Sequence, residues 1–244
     1  MIVEATIQKL HELRLKTMAD GYRRQMNDAS LRDLSFDERF GLIVDAEWQN
    51  RRNNRLSRLI SNANFGVNAC VEDIEYHADR MLEREQILSY ATCRYIAERR
   101  NIIILGATGA GKSYLSCALG LSACRNFYTV KYARLPELLN ELNVARHMGT
   151  YKKTLNAYAK ASLLILDEWL LMPLRENDAR DVFEVVDSRC GNGSTIFSSQ
   201  FNTEGWYGRI GEGPLADAIL DRILHNSYRI LINGESMRKR KAIS

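Results

Sequence analysis

The sequence predicts an α/β fold in which helices flank a parallel β-sheet and a helical module precedes it. After about residue 65, five short apolar runs alternate with helical segments, and a glycine-rich turn follows the first run. Such alternation is typical of parallel sheets, because each crossover between parallel strands needs a long connection. With 244 residues, 45% of them hydrophobic, the chain can bury the core of one large domain, with or without a helical appendage.

The amino-terminal part is predicted to be helical. Ile7, Leu10 and Leu13 recur at helical intervals, and Ser35 and Glu38 are spaced as a capping box before a second apolar series. The segment 61–70 is rich in Ser, Asn and Gly, which fits either a linker or an ordered loop over the core. We therefore expect a helical module in residues 1–65 and an α/β core in residues 66–244.

The apolar runs define the predicted strands of the core. Each is four or five residues long. The runs 102–105 and 163–166 are fully apolar, and the second in particular indicates a strand buried on both faces. The segment 113–124 follows the glycine-rich turn and is predicted to be a helix. The predicted strands cover residues 102–105, 129–132, 163–166, 195–198 and 228–232.

The glycine-rich turn has the spacing of a phosphate-binding loop. Four residues separate Gly106 from Gly111, which is followed by Lys112 and Ser113. Such a loop points backbone N–H groups at a triphosphate, while the lysine reaches the β and γ oxygens and the serine binds Mg²⁺. ATP with Mg²⁺ is the expected ligand. The predicted binding residues are Gly106, Ala107, Thr108, Gly109, Ala110, Gly111, Lys112, Ser113 and Tyr114.

Two carboxylates follow the third apolar run. Asp167 is predicted to hold the magnesium ion from the side opposite Ser113, through one of the waters that the ion retains. Side chains alternate along a strand, so Glu168 is expected to point the other way, toward the γ-phosphate and its attacking water. Glu168 is therefore the candidate general base.

Composition excludes several classes of protein. No apolar stretch approaches the roughly 18 residues of a membrane span, and the first residues carry charges too early for a signal peptide, so the cytoplasm is the expected location. The five cysteines form no CxxC pair and the four histidines have no ligand spacing. Neither a disulfide framework nor a zinc site is indicated.

Basic residues cluster in two places. Arg51, Arg52, Arg55 and Arg58 lie close together, and three of them share one helical face, spaced to follow a phosphate backbone. Either this face contacts DNA, which would make residues 1–65 a DNA- or partner-binding module, or it is only solvated. The run 238–241 is a basic tail with the same two interpretations.

Beyond these motifs, the chain resembles one group of AAA+ ATPases over nearly its whole length. These are the IstB-like transposition helpers of insertion sequences, related to DnaC-type helicase loaders and to the DnaA initiator. The leader and closing segments are more specific than the phosphate loop. The resemblance rests on LHELRLKTMADGYRRQM, SFDERFGLIVDAEW, the phosphate loop, LLILDEW, STIFSSQF, LADAILDRILHNSYRI and GESMRKR.

This resemblance implies roles for further residues. Gln200 matches the sensor residue that touches the γ-phosphate, although the match could slip to Ser199. Arg222 matches the arginine finger that reaches the ATP of a neighbouring subunit. Arg146, Lys152 and Lys153, near His147, lie where relatives carry helices that grip DNA. Lys112, Glu168, Gln200 and Arg222 would together form the catalytic set.

The chain departs from the family pattern at two places. Glu168, Trp169 and Leu170 replace a second Asp and a nearby glycine, but Glu168 retains the role of base. The chain ends soon after GESMRKR, so no helical lid is expected, and Arg238 could only partly replace the arginine of such a lid.

Together, the motifs and the resemblance imply an ATPase that forms homo-oligomers on duplex DNA through shared ATP sites and assists a transposase. The alternative is a helicase loader that acts on single-stranded DNA, because the motifs of the core fit both. A third interpretation, a small-molecule kinase, would leave Arg222 and the basic clusters without a purpose.

Overall fold

The computed structural model describes residues 2–31, 33–234 and 237. It confirms the α/β fold with a helical amino-terminal region. The helices are α1 (Ile2–Glu12), α2 (Lys16–Asn27), α3 (Phe36–Ala63), α4 (Arg84–Ala91), α5 (Arg94–Ala97), α6 (Lys112–Arg125), α7 (Leu135–His147), α8 (Tyr151–Ala159), α9 (Glu176–Arg189), α10 (Trp206–Ile210) and α11 (Pro214–Leu224). The strands are β1 (Asn101–Gly106), β2 (Val130–Arg134), β3 (Leu163–Asp167), β4 (Ser194–Ser199) and β5 (Ser227–Ile232).

All pairings in the five-stranded sheet are parallel, and the strand order is β2-β3-β4-β1-β5. Each strand matches one predicted run within two residues at either end. Strand β3 is buried along its whole length, as its apolar run predicts for a sheet covered on both faces, and β4 is buried too although four of its six residues are Ser or Thr. The carboxyl ends of β1, β3 and β4 therefore share one edge of the sheet, which we name the carboxyl edge; the opposite edge is the amino edge.

The chain divides into two compact units, residues 1–58 and residues 59–244. This division falls within α3, a few residues before the boundary that the sequence suggested near residue 65. In the first unit the predicted capping box is present: the Ser35 amide donates to Glu38 Oε2 (2.8 Å), and the Glu38 amide donates to Ser35 Oγ (3.3 Å).

In the segment 61–70, residues 61–63 end α3 and residues 64–70 form an ordered loop rather than an extended linker. Phe65 lies against Gly120 of α6, and Gly66 lies so close to the Tyr132 ring that an added Cβ would sit 2.7 Å from the phenol oxygen. A side chain at Gly66 would therefore force the ring to move. This loop packs on the α/β core that follows it.

Hydrogen bonds from the Arg189 side chain link α8, α9 and β4 near the amino edge. Its guanidinium is only 3% exposed and donates to Thr195 Oγ1 at 2.9 Å and to the carbonyl oxygen of Ala161 at 2.7 Å. The carbonyls of Tyr158, Ala159 and Ser194 also accept from it. Burial lowers the pKa of Arg189 to about 10, so the group remains a cation at neutral pH.

We expect Arg189→Met to lower the free energy of unfolding of the core by about 3 kcal/mol, because several buried carbonyls would lose their donor. Urea unfolding followed by the fluorescence of buried Trp169 and Trp206 measures this in a Trp48→Phe background. Arg180→Met is the matched control, since Arg180 lies on the same helix, is exposed and pairs with Glu176 of that helix. Equal midpoints for the two variants would contradict the prediction.

Candidate functional site

The phosphate loop lies at the carboxyl edge, between β1 and α6. Gly109 and Gly111 have positive φ values of 82° and 97°, which favour glycine. A Cβ at Gly111 would also lie 2.8 Å from Arg80 Nη2. Lys112 begins α6, and its Nζ donates to the carbonyl oxygen of Ala107 at 2.9 Å, so the lysine side chain lies across the loop. This cradle fits a triphosphate at a helix N-terminus.

A cavity of about 240 Å³ adjoins the loop and extends the site in a direction that the sequence did not reveal. The predicted residues Gly109, Gly111, Lys112, Ser113 and Tyr114 line one side. The other side comes from the irregular segment 67–80, which has no helical or strand periodicity and was therefore missed. Its lining residues are Val67, Asp73, Ile74, Glu75 and Arg80, and Met237 completes the cavity.

Arg80 ties the segment 67–80 to the phosphate loop. It is 5% exposed and donates to the carbonyl oxygens of Ala110 (3.0 Å) and Glu75 (2.5 Å). The segment 67–80 thus forms a wall with apolar and polar side chains next to the phosphate loop. Such a wall can bind the base and sugar of a nucleotide. The cavity therefore fits the nucleoside part of the ligand that the loop predicts.

Asp167 ends β3 and is 4% exposed, so it is a positioned carboxylate rather than a solvated strand end. The Tyr132 hydroxyl donates to Asp167 Oδ2 (2.9 Å), and the Glu168 amide donates to Oδ1 (2.9 Å). Burial, together with the negative charge of Asp167, raises the pKa of Tyr132, so the phenol remains a donor. Tyr132 was not predicted, because only the pairing of β2 with β3 brings it to Asp167.

The donor set fits magnesium in the form in which it accompanies ATP. Ser113 supplies a hydroxyl at the start of α6, and Asp167 supplies a carboxylate at the end of β3. Among the described residues there is no cluster of three His, Cys, Asp or Glu side chains that could hold a metal. Mg²⁺ bound to phosphates needs only one or two protein oxygens, because phosphate oxygens and waters complete its shell.

Glu168 lies outside the strand, so the predicted alternation of Asp167 and Glu168 along β3 is wrong in its geometry. β3 ends at Asp167, and Glu168 turns into the left-handed region with φ 53°. Its Oε1 accepts from Arg134 Nη2 at 2.5 Å, and Arg134 also pairs with Glu137 at 3.3 Å. Arg134 was missed because it is the β2 residue in register with Asp167, which sequence alone does not give.

Gln200 directly follows β4 and contacts the phosphate loop. Thr108 Oγ1 donates to Gln200 Oε1 at 2.7 Å. The neighbouring Ser199 is fully buried and donates to the carbonyl oxygen of Trp169 at 2.9 Å. Of the two residues that the resemblance allowed, Gln200 is the one that touches the loop.

Arg222 lies near the carboxyl end of α11, at the amino edge of the sheet. It lines a cleft with Asn101, which begins β1, and Asn226, which precedes β5. Its Nε pairs with Asp187 of α9 at 2.7 Å, and its guanidinium lies 4.9 Å from the centre of the Phe183 ring. The phosphate loop lies at the carboxyl edge, and a six-residue strand such as β1 spans about 17 Å between the two edges. Arg222 is therefore separated from the phosphate loop of its own chain by about this length.

The four predicted DNA-binding arginines of the first unit lie on α3. Arg51 bonds Glu47 Oε1 at 2.6 Å and the carbonyl oxygen of Arg14 at 3.1 Å, and Arg52 lies 5.0 Å from the centre of the Trp48 ring. A groove of about 420 Å³ brings further cations beside them, which we name the basic groove. Its basic residues are Arg14, Lys16, Arg51, Arg55 and Arg58. Arg14 and Lys16 come from the α1–α2 connection and were not predicted.

The three candidates between β2 and β3 differ from one another. Lys152 and Lys153 are exposed on α8. Arg146 of α7 is half-exposed but forms an ion pair with the buried Asp181 of α9, which also accepts from the Tyr151 hydroxyl at 2.7 Å. The guanidinium of Arg146 therefore joins helices α7, α8 and α9. Arg238 and the rest of the basic tail lie outside the described residues.

Within the described residues, no helix has both the length and the apolar character needed to cross a membrane.

Comparison with solved structures supports the AAA+ fold. The DnaC helicase loader superposes with a TM-score of 0.59 and 17% identity, covering 68% of this chain and 97% of the loader. AMPPCP-bound DnaA from Aquifex aeolicus gives a TM-score of 0.59 and 19% identity, covering 74% of this chain and 54% of DnaA. At these identities the likeness shows the fold alone.

Sequence comparison identifies the family. An insertion sequence ATP-binding protein of Sinorhizobium fredii is 36% identical over 239 residues, which is 98% of each chain. The ATP-binding protein of insertion sequence IS1162 from Pseudomonas fluorescens is 41% identical over 201 residues, covering 82% of this chain and 87% of the relative. The IstB-like ATP binding protein family matches residues 8–244, and the chain belongs to this family.

Proposed function

We propose that this chain is an ATPase that binds Mg²⁺ and ATP, assembles on duplex DNA through ATP sites shared between subunits, and assists the transposase of its insertion sequence. The observation that carries the proposal is the separation of the ATP machinery between the two edges of the sheet. The phosphate loop, Glu168 and Gln200 lie at the carboxyl edge, whereas Arg222 lies at the amino edge. Arg222 can therefore complete an ATP site only in another subunit.

Shared sites couple assembly to nucleotide state. If Arg222 contacts the ATP of its neighbour, ATP stabilises the interface, and loss of the γ-phosphate weakens it. Binding of ATP and growth of the oligomer then become one equilibrium. Hydrolysis can then switch the affinity for DNA, because many weak contacts between subunits and DNA act together only in the assembled state.

The hydrolytic step follows from the residues at the carboxyl edge. Lys112 and the loop amides bind the triphosphate, and Mg²⁺ held by Ser113 and Asp167 would neutralise charge on the β and γ oxygens. Glu168 accepts a proton from water, whose oxygen attacks the γ-phosphorus while the bond to the ADP oxygen breaks. Gln200, which accepts a hydrogen bond from Thr108 of the phosphate loop, would orient this water.

Arg134 controls whether Glu168 is available as a base. In this structure Arg134 Nη2 donates to Glu168 Oε1 at 2.5 Å, so this oxygen is occupied by the guanidinium and does not face a water. We infer that Glu168 must leave Arg134 before it can activate water. The ion pair thus keeps hydrolysis slow until the site is complete.

DNA binding is assigned to the basic groove of the first unit and to Lys152 and Lys153 of α8. Exposed Lys and Arg side chains bind the phosphate backbone of DNA rather than its bases. The affinity of such contacts falls steeply as the salt concentration rises. The relatives are named for insertion sequences, which favours transposition over helicase loading as the process served. The transposase of the same element is the proposed protein partner.

The central experiment measures sedimentation and ATP turnover with ATP and duplex DNA for the parent chain and for Glu168→Gln. Removing the base should lower turnover at least about 100-fold while ATP binding persists, so the variant should be trapped as a large assembly on DNA. Glu137→Gln is the matched control, because Glu137 also pairs with Arg134 but does not follow β3.

Three results would redirect the proposal. Assembly on single strands only would favour a helicase loader, and indifference to any DNA would remove the nucleic-acid role. Parental turnover by Glu168→Gln would show that another group activates water.

We expect Arg134→Ala to raise the DNA-independent ATPase rate about threefold, since a partly exposed ion pair is worth under about 1 kcal/mol. Steady-state phosphate release at saturating ATP measures this. Arg134→Lys retains a cation at this position and should stay close to the parental rate. A fall in rate for Arg134→Ala would mean that Arg134 assists catalysis instead of restraining Glu168.

The double variant Arg55→Ala, Arg58→Ala should bind duplex DNA more weakly and should reduce the slope of log affinity against log salt by about 2. Fluorescence anisotropy at four salt concentrations gives the slope. Arg23→Ala is the control, because Arg23 is exposed in the same unit, lies outside the basic groove and has Asp20 nearby. An unchanged slope in the double variant would place the DNA elsewhere.

A further inference from the structure

The cleft around Arg222 contains two further arginines. Arg99, Arg189 and Arg222 all line it, together with Asn101, Thr195 and Asn226. No carboxylate contributes to this lining in the described part of the chain. We name it the arginine cleft. Asp187 lies outside this lining and pairs with Arg222 at 2.7 Å, whereas Arg99 and Arg189 donate to uncharged oxygens, so the net potential of the cleft is positive and favours an anion.

Arg189 supplies positive charge from below the surface of the cleft. The hydrogen-bond acceptors around its guanidinium are a hydroxyl and carbonyl oxygens, all uncharged. Dipoles of this kind stabilise the cation without cancelling its charge at a distance. The low dielectric of the surrounding core lets this field reach the cleft.

Arg99 is held at the rim of the cleft by two contacts. It lies between α5 and β1 with φ 56°, and the side-chain Nδ2 of Asn226 donates to its carbonyl oxygen at 2.8 Å. Its exposed side chain donates from Nη1 to the carbonyl oxygen of Gly191 at 2.5 Å. A guanidinium has five N–H donors in a planar fork, so this contact orients the group and leaves capacity for an oxyanion.

The size of the cleft limits what can enter. Its volume is about 20 Å³, which is room for about one water-sized group. A whole nucleotide does not fit, whereas a single phosphoryl oxygen presented by another molecule does. The anion must therefore be the exposed end of a ligand that is bound elsewhere.

We propose that Arg99 acts together with Arg222 as a second catalytic arginine on the terminal phosphate of ATP bound by a neighbouring subunit. This inference rests on the shared ATP site of the proposed function and adds a residue to it. Two guanidinium groups that line one small cleft can both donate to the phosphoryl oxygen that enters it, while charge develops on the transferred group. Arg189 strengthens both contacts through its field without touching the phosphate.

The first test compares ATP turnover on duplex DNA for Arg99→Ala, Arg99→Lys and Arg94→Ala. We expect Arg99→Ala to lower turnover about tenfold and Arg99→Lys to recover part of this loss. Arg94→Ala should leave the rate unchanged, because Arg94 lies outside the cleft, is highly exposed and pairs with Glu98 of its own helix. Equal rates for Arg99→Ala and Arg94→Ala would overturn the proposal.

The second test mixes Arg99→Ala with Glu168→Gln, which supplies an intact Arg99 but cannot hydrolyse its own ATP. In an equal mixture that assembles at random, about one site in four is complete. Such a site takes Glu168 from an Arg99→Ala subunit and Arg99 from a Glu168→Gln subunit. Turnover in the mixture should therefore exceed that of either variant alone. A structural role of Arg99 within its own chain would not be rescued in this way.

A parallel mixture of Arg222→Ala with Glu168→Gln separates the two levels of the proposal. Rescue of Arg222→Ala without rescue of Arg99→Ala would overturn the role of Arg99 and leave the shared site standing. Failure of both mixtures would overturn the shared site itself. A loss of nucleotide-free duplex affinity in Arg99→Ala, with normal turnover once bound, would assign the cleft to the DNA backbone instead and overturn the proposal.

Discussion

The position of the candidate base depends on the burial of Trp169. The Trp169 ring packs against Phe197 and Trp206, with ring centroids 4.7 and 5.7 Å away, and is inaccessible to solvent. Its amide donates to the carbonyl oxygen of Ser198 at 2.8 Å, so the turn is attached to β4. Burying an indole stabilises by several kcal/mol, which exceeds the roughly 1–3 kcal/mol cost of a left-handed non-glycine residue. The packing of Trp169 in the core therefore holds Glu168 in a strained turn beside Arg134. A simple continuation of β3 would not place Glu168 there.

The sequence predicts those features that depend on residues close together in the chain, and it misses those that depend on contacts between distant segments. The strands and the phosphate loop are predicted well, because continuous apolar runs and glycine spacing act within a few residues. Tyr132 and Arg134 were missed, because they meet Asp167 and Glu168 only through the register of β2 with β3. Trp169 and Leu170, which with Glu168 depart from the pattern that the resemblance implied, likewise acquire meaning only when both side chains are seen in the core.

Charge is harder to interpret from sequence than apolar pattern. Arg146 lies where the resemblance implied a DNA contact, and in the structure its guanidinium pairs with Asp181, which lies 35 residues further along the chain on another helix. Removing that arginine would leave a carboxylate buried without a counter-ion, a cost that surface cations do not carry. Arg14 and Lys16 show the converse, since two cations that belong to no run in the sequence join the basic groove through the packing of helices.

Helix α9 connects the two surfaces on which the proposed function depends. Asp181 at its middle pairs with Arg146 of α7, Asp187 pairs with Arg222, and Arg189 at its end binds the last carbonyls of α8. Helices α7 and α8 carry the candidate DNA contacts, and Arg222 is the proposed link to the ATP of a neighbouring subunit. An anion that draws Arg222 away from Asp187 changes the charge balance of the helix that also holds α7 and α8. Because packed helices shift as units rather than deform, the proposed contact of Arg222 with a neighbour's nucleotide would bias, through α9, the two helices that carry the candidate DNA contacts.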